Sequence, residues 1–347
     1  MIADFFRYLL LLTVLIAAGC GSGPPRQPAA SPALAVPAVI EPALAARILA
    51  LDPDHISEED VRNVLRKGPT PRIMLFHGGV YPVHLAMSSF GRFLAGMGYP
   101  REKIRGPDGA WSYSPYEDVE RLAGITAWFY EQEGLPPMLI GHSQGGMQAV
   151  KVLYVLAGAY GKEVPVWDPQ ANLALDRTTI RDPATGQQRP VVGLRLGYAS
   201  VIGAGGAGFL LPHQWGMVNK LFSIPETVDD FTGYTIAIDI FAWTLPGAEA
   251  HYVARDSRTQ VRNVPLPAGV NHVTAPVTAG FAADPAARAW IDAYSPGGIS
   301  APMPAEAASN LLWAADMWWN IKKHWAIEAQ QAVRAGQMAG RATAKQE

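Results

Sequence analysis

Gly141-His142-Ser143-Gln144-Gly145-Gly146 follows directly on the apolar run Pro136-Pro137-Met138-Leu139-Ile140. No other feature restricts the fold of this chain so tightly. The short apolar run reads as a buried strand, and Met147-Gln148-Ala149-Val150-Lys151-Val152-Leu153-Tyr154-Val155-Leu156 reads as a helix. Few residues are left for the reversal between them, so a serine at the bend has a strained backbone and close neighbours. Small residues two before and two after it relieve that crowding, and Gly141 and Gly145 hold those positions. The sequence therefore asks for strand, sharp turn and helix in succession, with Ser143 at the bend.

The rest of the first half repeats the theme. Arg72-Ile73-Met74-Leu75-Phe76 is a second apolar run, and it ends in His77-Gly78-Gly79, a strand end that turns on glycines. Residues 85–95 have helical periodicity, with Phe90, Phe93 and Leu94 on one side. Residues 116–131 repeat it, with Val119, Leu122, Ile125 and Phe129 at three- and four-residue steps. Upstream, short helices are expected over 45–51 and 61–66, the second started by Ser57 and the acids Glu58, Glu59 and Asp60. Strand, helix, helix, strand, helix is the order of an α/β protein, a mostly parallel central sheet with helices on both faces. At 347 residues, the chain has room for one such domain over 44–335.

The second half is looser. Residues 160–190 are polar and rich in turn formers, which predicts a hairpin insertion, and 191–199 resumes a strand. The glycine run at 203–208 leads into Phe209-Leu210-Leu211-Pro212-His213-Gln214-Trp215. Two readings stand for 203–232, a cap or lid and an irregular buried connection. Tyr234-Thr235-Ile236-Ala237-Ile238 reads as a strand with Asp239 at its end, and Asp229 and Asp230 as helix-start acids. The last strand is expected over 261–266. A closing helix over 304–334 carries Leu311, Trp318 and Trp325 at seven-residue spacing with Ala314 and Ile321 between them. That stripe packs on the body or meets a membrane, and 336–347 should fray.

The N-terminus reads as a targeting segment. Arg7 precedes an apolar run over 8–18, long enough for a signal-peptide core and short for a membrane span. The run ends at Ala17-Ala18-Gly19-Cys20, and Cys20 is the chain's single cysteine, so no intrachain disulfide forms. Small residues before a lone cysteine resemble a bacterial lipoprotein signal. The resemblance implies removal of 1–19, lipid attachment to Cys20 and anchoring to a membrane, the outer one in a Gram-negative host since Gly21 follows. An uncleaved anchor and an ordinary secretory signal are the alternatives, and all three predict export. Residues 20–43, rich in Pro, Ala, Gly and Ser, read as a flexible tether. A formal net charge of −2 with no basic block argues against nucleic-acid binding.

Phe76-His77-Gly78-Gly79, the turn at 141–146 and a histidine after a late strand-like segment together resemble the α/β-hydrolases of lipase/esterase type, over roughly residues 70–280. The resemblance implies a serine hydrolase acting on carboxylic esters without metal or cofactor, with nucleophile, acid and histidine in that chain order. Ser143 is the nucleophile. Of His213, His251, His272 and His324, His272 best fits the base, because it sits in a loop after the last strand. The acid is Asp239, with Glu249 and Asp256 as competitors. Two backbone N–H groups should form the oxyanion hole, one from Gln144 and one from Gly79 or Val80. An apolar cap and a lipid anchor favour a hydrophobic or lipid-like ester. An acyltransferase or thioesterase with the same triad, or a non-catalytic binding protein, stays open at this point.

Overall fold

The computed structural model describes residues 40–161, 163–243, 251–298 and 309–343. Five strands make the central sheet: β1 (Ile73–Phe76), β2 (Met138–His142), β3 (Leu196–Ile202), β4 (Val228–Thr235) and β5 (Gln260–Pro265). They lie side by side in chain order, and every pair is parallel. The register sets Phe76 beside Gly141, and Ile202 beside both His142 and Tyr234, so the strand ends that carry the turns line up.

Strands β1 and β2 are buried throughout, and alternate residues feed opposite faces, as period-two geometry requires. Ile73, Leu75, Met138 and Ile140 join the core on one face, while Met74, Phe76 and Leu139 join the other. Among the described residues the α-helices are α1 (Pro42–Leu49), α2 (Glu58–Asn63), α3 (Tyr81–Met97), α4 (Val119–Glu133), α5 (Gln144–Leu156), α6 (Pro285–Ala293) and α7 (Leu311–Thr343). Helices α4 and α5 cover the Phe76 face, and α3, α6 and α7 cover the Leu75 face. The outer edge of β1 is closed by residue 113: Tyr113 N–H donates to Leu75 O and His77 N–H to Tyr113 O, which satisfies an edge that would otherwise be open.

The apolar stripe of α7 lies against the body of the protein. Leu311, Ala314, Trp318, Ile321 and Trp325 are all buried, with Trp313 against Phe90 and Trp325 against Tyr99. The helix also carries the fully buried Asp316. Its carboxylate accepts from Arg262 (2.5 and 2.9 Å), the Tyr234 hydroxyl (2.5 Å), the Tyr294 hydroxyl (2.8 Å) and Asn320 Nδ2 (3.0 Å). A buried charge is tolerated only when it is paired and bonded in this way. Arg262 on β5 and Tyr234 on β4 are thereby tied to the closing helix.

Several boundaries differ from the sequence expectation for local reasons. Helix α3 begins at Tyr81 rather than 85, because Pro82 falls in its first turn, where the missing N–H had no helical partner to lose. Residues 191–195 form a turn with Gly193 at φ 93°, so β3 starts only at Leu196. Strand β4 begins at Val228, which puts 228–232 in the central sheet and outside any cap. Asp229 and Asp230 are therefore strand residues, not helix-start acids; Asp229 pairs with Arg195, and Asp230 lies 3.5 Å from His324. Helix α7 runs to Thr343, so the helix extends past 334, and no proline interrupts it there. Thr179–Arg181 pairs antiparallel with Gln188–Pro190 as a surface hairpin. Cys20, the segment 1–39 and Glu249 lie outside the described residues.

Candidate active site

The turn between β2 and α5 holds Ser143 at φ 57° and ψ −127°, a strained conformation for a residue with a side chain. Its surroundings fix it there. Ser143 N–H donates to Ile202 O at 2.9 Å, and Ser143 O accepts from Gly146 N–H at 2.9 Å. The glycines are required by contact. A Cβ on Gly141 would lie 2.4 Å from Gly145 O, and one on Gly145 would lie 2.3 Å from Phe76 O and 2.4 Å from His77 O. Helix α5 therefore starts with its backbone against the end of β1, and Gly78 of the next turn sits beside the serine Cβ.

His272 and Asp239 arrive from loops beyond β5 and β4. His272 Nε2 is 2.8 Å from Ser143 Oγ, and its Nδ1 is 2.6 Å from Asp239 Oδ2. A carboxylate only accepts, so Nδ1 carries the proton and Nε2 is left to accept from the serine hydroxyl. Asp239 is 1% exposed and His272 6%. The second carboxylate oxygen, Oδ1, accepts from the N–H groups of Phe241 (3.0 Å) and Ala242 (2.9 Å), which orients the acid and satisfies it in burial. Asp239 lies four residues past the end of β4, in a turn rather than at the strand end.

Of the residues the sequence singled out, the structure brings together Ser143, His272, Asp239, Gln144 and Gly79. It does not bring in Asp256, which is half-buried and accepts from the N–H groups of Arg258 and Thr259. His324 is buried in the body, stacked on Tyr198 at 4.5 Å, and burial pushes its pKa down to about 3, so it is neutral. Gln144 N–H opens helix α5, and neither it nor Gly79 N–H has an acceptor among the described residues. Free N–H groups at a helix start beside a serine suit an anion.

Sequence reasoning missed several contacts. His142 Nε2 donates to the carbonyl of His272 at 2.8 Å, which ties the base's loop to the residue before the nucleophile. Burial holds the His142 pKa well below its usual value, so the ring is neutral, and its Nδ1 has no partner. The Phe241 ring lies 5.1 Å from the His272 ring. A clasp joins the 203–221 segment to the site: Gln144 Nε2 is 3.1 Å from His213 Nε2, and Lys151 donates to His213 O at 2.9 Å. The Gln144 carboxamide also lies over Gly79, whose carbonyl accepts from Tyr116 OH at 3.0 Å. Only the position of His142 beside the serine could have signalled any of this, because the other contacts join residues far apart in the chain.

No cluster of three or more His, Cys, Asp or Glu side chains suited to a metal lies among the described residues. No protein-family model matches the chain, and no curated protein matches it.

Proposed function

We propose that this protein is a serine hydrolase of the α/β-hydrolase class, cleaving carboxylic esters through an acyl-serine intermediate. The observation that carries the reading is the unbroken chain Ser143 Oγ–His272–Asp239 at 2.8 and 2.6 Å, with the serine on a strained turn between strand and helix. A free serine hydroxyl is a weak nucleophile at neutral pH, and a neutral imidazole within hydrogen-bond reach activates it. In this mechanism Ser143 Oγ bonds to the ester carbonyl carbon while its proton passes to His272 Nε2. The carbonyl electron pair moves to oxygen, where the N–H groups of Gln144 and Gly79 hold it. One such donor is worth about 3–4 kcal/mol in the transition state. The tetrahedral intermediate collapses, the alkoxide leaves with the proton from His272, and the acyl group stays on Ser143. Water then attacks, giving its proton to His272, and the acid is released as the proton returns to Ser143. Asp239 keeps Nδ1 protonated and stabilises the imidazolium.

A hydrophobic or lipid-like ester is proposed as the substrate, supported by the exposed apolar side chains around Ser143. Export and lipid attachment at Cys20 are proposed on the sequence alone. The test is hydrolysis of p-nitrophenyl esters of increasing acyl length, beside labelling by a fluorophosphonate. Ser143→Ala is expected to lower kcat by about 10⁶-fold and abolish the label. Full turnover by Ser143→Ala sinks the proposal. Turnover that rises with added alcohol as acceptor reassigns the enzyme to acyl transfer.

A further inference from the structure

Fourteen large apolar side chains are exposed among the described residues, and ten of them sit on four segments that build the candidate site. Val80 and Tyr81 follow Gly79 directly, and Tyr116 bonds to the Gly79 carbonyl. Leu210, Trp215 and Val218 flank His213, which reaches Gln144. Ile238, Ile240, Phe241 and Trp243 surround Asp239, with Ile240 70% and Ile238 68% exposed. These segments are continuous: the Tyr116 ring lies 5.8 Å from His213, and a Cβ on Gly206 would lie 2.2 Å from Phe241 O. Val253 and Met338, by contrast, are scattered singly, as on any soluble protein.

We propose that this face docks on a phospholipid bilayer, so that the mouth of the site opens onto the membrane surface. The inference rests on the hydrolase reading for its consequence, but not for the binding itself. Three observations choose the occupant. First, the face mixes aliphatic side chains with Tyr and Trp, the composition that settles at the boundary of headgroup and acyl chain. Second, it carries little free negative charge. Residues 78–85, 206–221 and 236–243 contain no Asp or Glu except Asp239, which is buried and fully engaged; beside Tyr116, Glu117 pairs with Arg121 and the Asp118 carboxylate caps helix α4, while Lys151 and Lys220 lie against Tyr160. That suits an anionic or zwitterionic headgroup. Third, the exposed side chains lie on the segments that carry Gly79, His213 and Asp239, which meet at the candidate site. A second copy seated there would seal the serine, whereas a bilayer covers the rim and also presents esters to it.

Binding is read without turnover, by co-sedimentation with vesicles of phosphatidylcholine and phosphatidylglycerol. The buried residues of both cores all lie between Ala45 and Val333, so a protein beginning at Leu34 reads this face without the N-terminal apolar run. The expected result is partition onto the vesicles that falls about tenfold or more for Trp215→Ser and again for Ile240→Ser, with unchanged melting temperature. Val253→Ser and Met338→Ser, away from the site, should bind as the parent does. The inference is overturned if the parent stays in the supernatant, or if the two pairs of variants bind alike. It is also overturned if the protein forms lipid-independent dimers that Trp215→Ser dissolves, which would reassign the face to self-association. Serine-dependent turnover of a soluble ester without vesicle binding would leave the hydrolase reading standing and remove this one. Vesicle binding without turnover would do the reverse.

Discussion

The nucleophile and its two partners stand on different kinds of backbone. Ser143 is wedged between a buried strand and the first turn of a helix, fixed by two main-chain hydrogen bonds and by a turn so tight that a Cβ on Gly141 or Gly145 would fall within 2.5 Å of backbone oxygen. His272 and Asp239 stand on loops, and what fixes them is side-chain chemistry: one carboxylate shared between the imidazole and two N–H groups, and one bond from His142 to the His272 carbonyl. The difference teaches that this site has a steric half and a hydrogen-bonded half. The steric half should fail by loss of fold, and the hydrogen-bonded half by loss of rate.

Asp239→Asn probes the second half most directly. It leaves the turn at Ser143 untouched, so the melting temperature should hold. The rate should fall by about 10⁴-fold, since an amide favours the wrong imidazole tautomer. Steady-state kinetics on a soluble ester decide it, and a loss under tenfold would mean that Asp239 does not orient the base.

Gly145→Ala is the counterpart in the steric half. A methyl 2.3 Å from Phe76 O must push helix α5 off the end of β1. Calorimetry should show about 3 kcal/mol of lost stability, roughly 5–10 °C in Tm. A variant that melts like the parent would break the distinction between the halves.

Strand β3 serves both halves, since Ile202 O holds Ser143 and Gly203 sits within 3.1 Å of His272 and Asp239 as its Cβ would be placed. At the far end of the same strand, Gly197 abuts the buried Glu328, whose pKa is pushed up to about 8 by burial. Between about 4.5 and 8 the folded chain holds a proton that the unfolded chain has lost, so stability falls as pH rises through that window. Glu328→Gln should melt above the parent at pH 8, by about 1–3 kcal/mol of stability, and level with it near pH 4.5. His324 acts in the opposite sense: buried neutral, it contributes stability above its ordinary pKa of 6.5 that is lost as pH falls toward 3.

The smallest effect concerns the clasp. Gln144→Ala keeps the backbone N–H but drops the side-chain contact with His213. Amide exchange across 208–218 should quicken by about fivefold, the worth of roughly one hydrogen bond. Unchanged exchange would mean that other contacts, such as Lys151 to His213 O, hold the segment alone.

The steric half was legible in the sequence because its causes are local. A glycine two residues either side of a serine records the crowding of its own turn, and Met138–His142 and Gln144–Leu156 formed where apolar periodicity placed a strand and a helix. The parallel α/β architecture followed from the order of such elements. The hydrogen-bonded half was legible only as a short set of alternatives, since which carboxylate meets His272 depends on loops folding back from separate strands. The strand at 228–235 shows the limit. Its leading acids looked like a helix start because Arg195, the partner that makes Asp229 tolerable there, is 34 residues away in the chain. Nothing local announces the Gln144–His213 contact, which spans 69 residues.

Helix α7 brings a consequence in the order of synthesis. It lies after every strand in the chain, yet Met317 meets Ser200, Asp316 holds Tyr234 and Arg262, and Trp313 packs on Phe90. Until Leu311–Thr343 has left the ribosome, the face of the sheet that carries Tyr198 and Tyr234 lacks its cover. The five strands can be complete as sequence while this face still lacks that part of its dry cover, so a helix made after all of them finishes it.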